Sequence, residues 1–174
     1  NPFSDMYALK AISLISKSIR NAYNNGEDIS AREDMLLAAF YGGMCIASSS
    51  TVAVHALSYP LGGKYRIPHG ISNAILLPYV MEYNADYVED KFKDVASAMG
   101  IDIFSSDSIS QRVVDEIFKM TYDLKIPRNL NQYGITKQDL EILVDGAASV
   151  TRLLDNNPKP MTKEDIRNVY LKVI

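Results

Sequence analysis

From Ala38 to Leu57 the chain is almost free of charge and crowded with small side chains: Ala38, Ala39, Gly42, Gly43, Ala47, Ser48, Ser49, Ser50 and Ala53. A helix with little polarity on any face belongs in an interior, and small residues let a neighbouring backbone or a ligand come close. The stretch therefore predicts a long helix at the centre of a domain. It starts at Ser30, where Glu33 three residues on completes a capping box, and runs through Met35, Leu36 and Phe40. The β-branched residues between Thr51 and Val54 offer a short strand as the competing reading. Pro60 and Gly62-Gly63 stop the helix, so Tyr59 to Pro68 reads as a loop.

The remaining segments supply helices to pack around this centre. Leu9, Ile12, Ile15, Ile19 and Tyr23 recur at helical spacing after a capping candidate, Ser4, and end at Asn24-Asn25-Gly26. Ile71 to Val80 is an apolar run that Pro78 should kink or break. Helices follow at Val88 to Met99, closed by Gly100, and at Ser110 to Leu124, stopped before Pro127, with Val113, Val114, Ile117, Phe118 and Met120 facing inward. Thr136 caps a further helix to Leu154, and after the loop Asn156 to Pro160, Thr162 caps the last one. With at least six helices and no convincing strand the fold class is all-α.

At 174 residues the chain can bury roughly two thirds of its unfolded surface, so it has a real core. A net charge of -3, with both signs interspersed, leaves no basic footprint for nucleic acid. No apolar run reaches the roughly 20 residues of a membrane span, and Asn1-Pro2-Phe3-Ser4 is not a leader. Cys45 has no second cysteine to pair with, which agrees with a reducing, cytoplasmic compartment and with a small core residue. The first residue is not Met and already leads into a helix, so the chain reads as a piece of a longer protein.

The only two histidines, His55 and His69, fall in the least charged region. Two buried histidines with one hydrogen bond each would satisfy such a pattern. The alternative is chemical. His55 lies near the end of the central helix and His69 follows Pro68 at the start of the next, so one tight loop can bring both imidazoles to one point. At a helix N-terminus the macrodipole disfavours an imidazolium, which keeps the ring neutral with a lone pair for a metal. Two histidines do not complete a site, since a catalytic zinc or iron usually takes three or more protein ligands. Neither H-E-x-x-H nor D-x-x-x-H occurs here.

The run from His55 through Ala56-Leu57-Ser58-Tyr59-Pro60-Leu61-Gly62-Gly63, and then Pro68-His69-Gly70-Ile71-Ser72-Asn73-Ala74-Ile75-Leu76-Leu77-Pro78, closely resembles the signature of the iron-containing (group III) alcohol dehydrogenases. The resemblance extends from Asn1-Pro2-Phe3-Ser4-Asp5 to the closing stretch Asn157-Pro158-Lys159-Pro160-Met161-Thr162 and the helix after it. It implies that residues 1–174 form the helical, metal-binding C-terminal domain of a two-domain dehydrogenase, with His55 and His69 as metal ligands. The other two ligands of the family, an Asp and a His four apart, would lie upstream of Asn1. So would the α/β nucleotide-binding domain, of which this chain holds no glycine-rich phosphate loop.

The function implied is interconversion of an alcohol and an aldehyde or ketone, with a divalent metal, iron first and zinc second, and with NAD or NADP. The partners implied are a small alcohol or aldehyde, the chain's own nucleotide-binding domain and further copies in a homo-oligomer. Neither nucleic acid nor membrane is among them. One departure concerns Tyr59, which stands where many members carry a second active-site histidine. It is the candidate catalytic residue, either as a hydrogen-bond donor or as a pocket wall; phenols, which ordinarily titrate near about pH 10, are poorer proton shuttles than imidazoles. Asn73 is expected to brace the turn after His69 by side-chain hydrogen bonding, and Lys64 and Arg66 offer either charge to an anionic group or a solvated loop. Two other classes remain open on the sequence: a lyase domain similar to dehydroquinate synthase, and a helical interaction module without enzymatic activity.

Overall fold

Side chains that close back on the backbone set where the helices begin. The computed structural model describes residues 1–103 and 108–174, and among them are nine α-helices, three single 3-10 turns and no strand. Helix α1 (Pro2–Asn24) starts one turn before Ser4: Asn1 accepts from the Ser4 backbone while the Ser4 hydroxyl donates back to the Asn1 carbonyl. Pro2 fits this start, because the first helical N–H would be unpaired in any case. Helix α2 (Ile29–Ser49) is capped by Asp28, which accepts from Ala31 N at 3.0 Å, and not by Ser30. A carboxylate at that position also suits the positive end of the helix.

The long central helix of the sequence reading is two helices. Ser50 adopts φ 65° and ψ -165°, a conformation that side chains rarely accept, and α2 ends there. Val52 is extended, which leaves no strand at Thr51 to Val54, and α3 (Ala53–Tyr65) begins. That helix runs through Pro60, Gly62 and Gly63, where a loop is expected. Its buried face explains why: Ala53, Ala56, Leu57 and Leu61 are fully buried, each buried leucine contributing about 1.5–3 kcal/mol, enough to offset the missing N–H of Pro60. Of the nine small residues that mark the stretch only Ala38 and Ala53 are buried. Leu36, Phe40 and Ile46 of α2 are exposed, at 75%, 63% and 53%.

Helix α3 ends when Arg66 enters the left-handed region at φ 56°, with its N–H on Gly62 O and the Ile67 N–H on Leu61 O. This is an αL closure with Arg66 in the place usually held by glycine, followed by the buried Ile67. Three residues, 66–68, then lead into α4 (His69–Asn84), which carries Pro78 without interruption. The following helices are α5 (Glu89–Met99), closed by left-handed Gly100, and α6 (Ile109–Asp123). Thr136 does cap, through a reciprocal box with Asp139, but the helix to Leu154 is divided into α7 (Leu140–Ala148) and α8 (Thr151–Leu154). At the break the Ser149 hydroxyl donates to the Gly146 carbonyl, competing with the helical ladder. Thr162 caps α9 (Lys163–Leu171) as expected.

The described residues divide into two compact units, residues 1–50 with 88–116, and residues 51–87 with 117–174. In the first, α1 and α2 pair over Ala11, Leu14 and Ala38, and Lys91 and Arg20 form ion pairs with Asp5 and Glu116 at 2.7 Å each. The second holds the larger core, with Leu57, Leu61, Leu76, Val80, Leu143 and Ile166 all fully buried. Gly146 of α7 is where α3 comes closest: a Cβ there would lie 3.1 Å from Pro60 Cγ. No single described helix is long and apolar enough to cross a membrane.

Two polar links close this second core. The fully buried Tyr170 donates from its hydroxyl to the Leu57 carbonyl at 2.6 Å, and Asn84 and Asn157 exchange reciprocal amide hydrogen bonds at 3.1 and 2.8 Å. Asn157 also donates to Lys159 O at 2.7 Å. An unpaired buried polar group costs about 1–3 kcal/mol. Asn157→Ala, which strands both the Asn84 amide and the Lys159 carbonyl, is therefore expected to lower unfolding free energy by about 2–3 kcal/mol, and Tyr170→Phe by about 1 kcal/mol, in urea denaturation.

Candidate metal centre

The break at residues 50–52 decides where His55 sits. Instead of ending a long helix it occupies the first turn of α3, as the third helical residue, and His69 is the first residue of α4. Both imidazoles thus stand at helix N-termini, where four backbone N–H groups point outward and positive charge is disfavoured. Neither N-cap, Val52 nor Pro68, supplies a side-chain acceptor there. The three-residue turn after α3 folds α4 back, and the two rings meet with centroids 5.2 Å apart and planes inclined at 53°.

That spacing can be compared with what a shared ion demands. Two imidazoles bound through nitrogen at about 2.1 Å, with a roughly tetrahedral angle between them, have centroids about 5.3 Å apart. The pair therefore fits two positions around one zinc- or iron-sized cation. Among the described residues no third His, Cys, Asp or Glu joins them. His55 is half-buried and its imidazole is held below the ordinary histidine range, first by burial and then by the neighbouring His69. A neutral ring is the form that coordinates.

Other side chains complete the surroundings. Tyr59 follows His55 by one turn, and because α3 passes through Pro60 unbroken its ring stays on the histidine face, 6.3 Å from His69 between centroids. The Tyr59 residue is 44% exposed. Asn73, one turn into α4, places its amide nitrogen 3.0 Å from His69 Nε2. The Asn73 Oδ1 and the Ser72 Oγ are buried without a hydrogen-bond partner among the described residues. Orphaned polar atoms of this kind ask for a further group or a water.

Lys64 and Arg66 do not line this face in any contact the structure records. Lys64 lies over the Tyr65 ring at 5.4 Å, and the Tyr65 hydroxyl donates to Asp139 at 2.7 Å; burial first, and then this contact, push the Tyr65 pKa up to about 12. Two residues escaped the sequence reading. Ser58 donates to the His55 carbonyl at 3.0 Å and so steadies the first turn of α3; its signal was the spacing of three from His55. Ser72 carries no signal beyond its polarity in an apolar run.

The two histidines converge within a domain that is helical throughout its described residues. Residues 1–174 match the description "Fe-containing alcohol dehydrogenase family, C-terminal", and the chain belongs to the iron-containing alcohol dehydrogenase family. It is 40% identical over 172 residues to long-chain-alcohol dehydrogenase 1 of Geobacillus thermodenitrificans, covering 98% of this chain and 44% of that protein. Lactaldehyde reductase of Escherichia coli is 34% identical over 169 residues, with 96% and 44% covered. The crystal structure of a 1,3-propanediol oxidoreductase superposes with a TM-score of 0.95 at 31% identity, over 100% of this chain and 46% of its own. The chain thus spans less than half the length of the relatives it matches. Its fold is their C-terminal helical part.

The depressed His55 pKa has a sign that can be tested. Proton binding is weaker in the folded chain, so stability is fully present above the ordinary histidine value of 6.5 and falls as the pH drops through and below it. Urea midpoints measured on the metal-free chain are expected to decline over this window, and His55→Gln is expected to flatten the decline. An unchanged slope in the variant would show that the burial of His55 has no energetic consequence.

Proposed function

We propose that this chain is the metal-holding C-terminal part of an NAD- or NADP-dependent dehydrogenase that interconverts an alcohol and its aldehyde or ketone, with iron as the metal. The observation that carries the reading is the convergence of His55 and His69 at 5.2 Å in a chain of this family. The names of the relatives run from long-chain alcohols to lactaldehyde, which supports the alcohol and aldehyde class and no single substrate. Family membership also favours a dehydrogenase over a lyase similar to dehydroquinate synthase.

When bound, a divalent ion supplies Lewis-acid stabilisation of an alkoxide, and a nicotinamide supplies the hydride acceptor. His55 and His69 would hold that ion, and Asn73 would fix the orientation of the His69 ring, as outer partners of ligating histidines commonly do. Tyr59 places a phenolic hydroxyl beside the pair, in reach of a substrate oxygen, and stabilises it by donating a hydrogen bond. The exposed apolar residues Leu36, Phe40 and Ile46 of α2 suit cover by the nucleotide-binding domain of the same enzyme. The remaining metal ligands come from that larger part of the protein.

In the enzyme that carries this chain, His55→Ala and His69→Ala are each expected to lower bound metal, measured by atomic absorption, and to abolish nicotinamide-linked turnover. Tyr59→Phe should leave metal content intact and cost about 1.5–3 kcal/mol of transition-state stabilisation, or about 10- to 150-fold in rate. A loss below about threefold would reduce Tyr59 to a pocket wall, and normal metal with normal turnover in His69→Ala would overturn the whole reading. The 174 residues alone should show no alcohol-dependent reduction of NAD or NADP; turnover by them would contradict the division of the site.

A further inference from the structure

Helix α4 has a second use for its surface. Successive helical residues turn by about 100°, so Ile75, Pro78 and Tyr79 face away from Asn73. They form one wall of a cleft of about 260 Å³ whose opposite wall is Phe118 and Ile126-Pro127, and none of His55, Tyr59, His69 or Asn73 lines it. The Tyr79 and Phe118 rings meet edge-to-face at 5.1 Å, which fixes the depth of the cleft. Its far wall follows from a Schellman closure of α6: Lys125 takes φ 55° with its N–H on Tyr122 O, and the Ile126 N–H bonds Thr121 O, turning Ile126 and Pro127 back over the helix.

The mouth of this apolar cleft is cationic. Arg128 lines it and is stacked over the Tyr122 ring at 4.8 Å. Lys125 lines an adjoining hollow that shares Tyr122, Ile126 and Arg128 with the cleft. The one acid beside them, Asp123, is already paired with Lys119 at 3.1 Å. Among the described residues neither Arg128 nor Lys125 has a carboxylate partner. An apolar slot with unpaired positive charge at its opening selects a ligand with the inverse pattern, an apolar body and one negative head.

We propose that this cleft binds an aliphatic carboxylate, its chain between α4 and the last turns of α6 and its head at Arg128 and Lys125. At about 260 Å³ the cleft exceeds the roughly 150 Å³ of an apolar cavity that admits benzene, so a medium-length chain with its carboxylate fits. The site is separate from the histidine pair and does not depend on the metal or the nicotinamide.

Titration calorimetry of this chain with sodium octanoate tests the assignment, with 1-octanol as the neutral comparator. Octanoate is expected to bind with Kd of about 0.1–1 mM, at least about fivefold more tightly than octanol, and to weaken as salt is raised. Arg128→Gln should weaken octanoate at least about fivefold while leaving octanol unchanged, since only the head loses a partner. Ala74→Met, which fills the slot from α4, should weaken both ligands. A chain with both His55→Ala and His69→Ala should bind octanoate as the parent does. The proposal fails if octanoate does not bind at about 10 mM, if Arg128→Gln and Ala74→Met leave its binding unchanged, or if the double histidine variant loses it, which would put the ligand at the metal centre. None of these outcomes bears on turnover, so failure here leaves the dehydrogenase reading to its own test.

Discussion

The packing of α3 on α4 across Leu57, Leu61, Leu76 and Val80 is the contact on which the rest of the second unit depends. It holds two helix N-termini side by side, and an imidazole on each then needs no further device to meet the other. The turn between the helices is only three residues long, and a turn that short leaves little freedom in their pairing. Its left-handed residue is Arg66, so the closure rests on burial of Ile67 and not on the ease with which glycine adopts positive φ. Tyr170 adds a bond from α9 to the Leu57 carbonyl, so the closing helix braces the wall that carries the site.

Much of this was legible in the sequence because period and caps are local. The apolar spacing of α1, the left-handed glycine after α5 and the boxes at Thr136 and Thr162 are decided within one or two turns of chain. What the sequence hid was decided elsewhere. Pro60 reads as a stop until its ring is seen against Gly146. Ser50 gives no hint of a positive φ, yet that one residue moves His55 from the end of a helix to the start of another. The histidine pairing survived this error, since both versions leave His55 and His69 across a short connection. Asn73 was expected to brace the turn after His69, and its amide reaches the His69 ring instead; the stranded Ser72 hydroxyl was not foreseeable, because an unmet hydrogen bond is a property of surroundings.

The uncharged stretch Ala38 to Leu57 also shows how one composition can serve two ends. Its second part is core, whereas Leu36, Phe40 and Ile46, in and just ahead of its first part, stand in solvent. Apolar composition signals burial without naming the partner.

The contact between Pro60 and Gly146 has a consequence for how such chains can diverge. A ring on one helix and a missing side chain on the other are two halves of one shape, joined across distant parts of the sequence. Any side chain gained at position 146 presses on the ring beside Tyr59, and loss of the ring would open a gap beneath position 146. The two positions thus constrain one another, because a side chain at one must be met by a shift at the other.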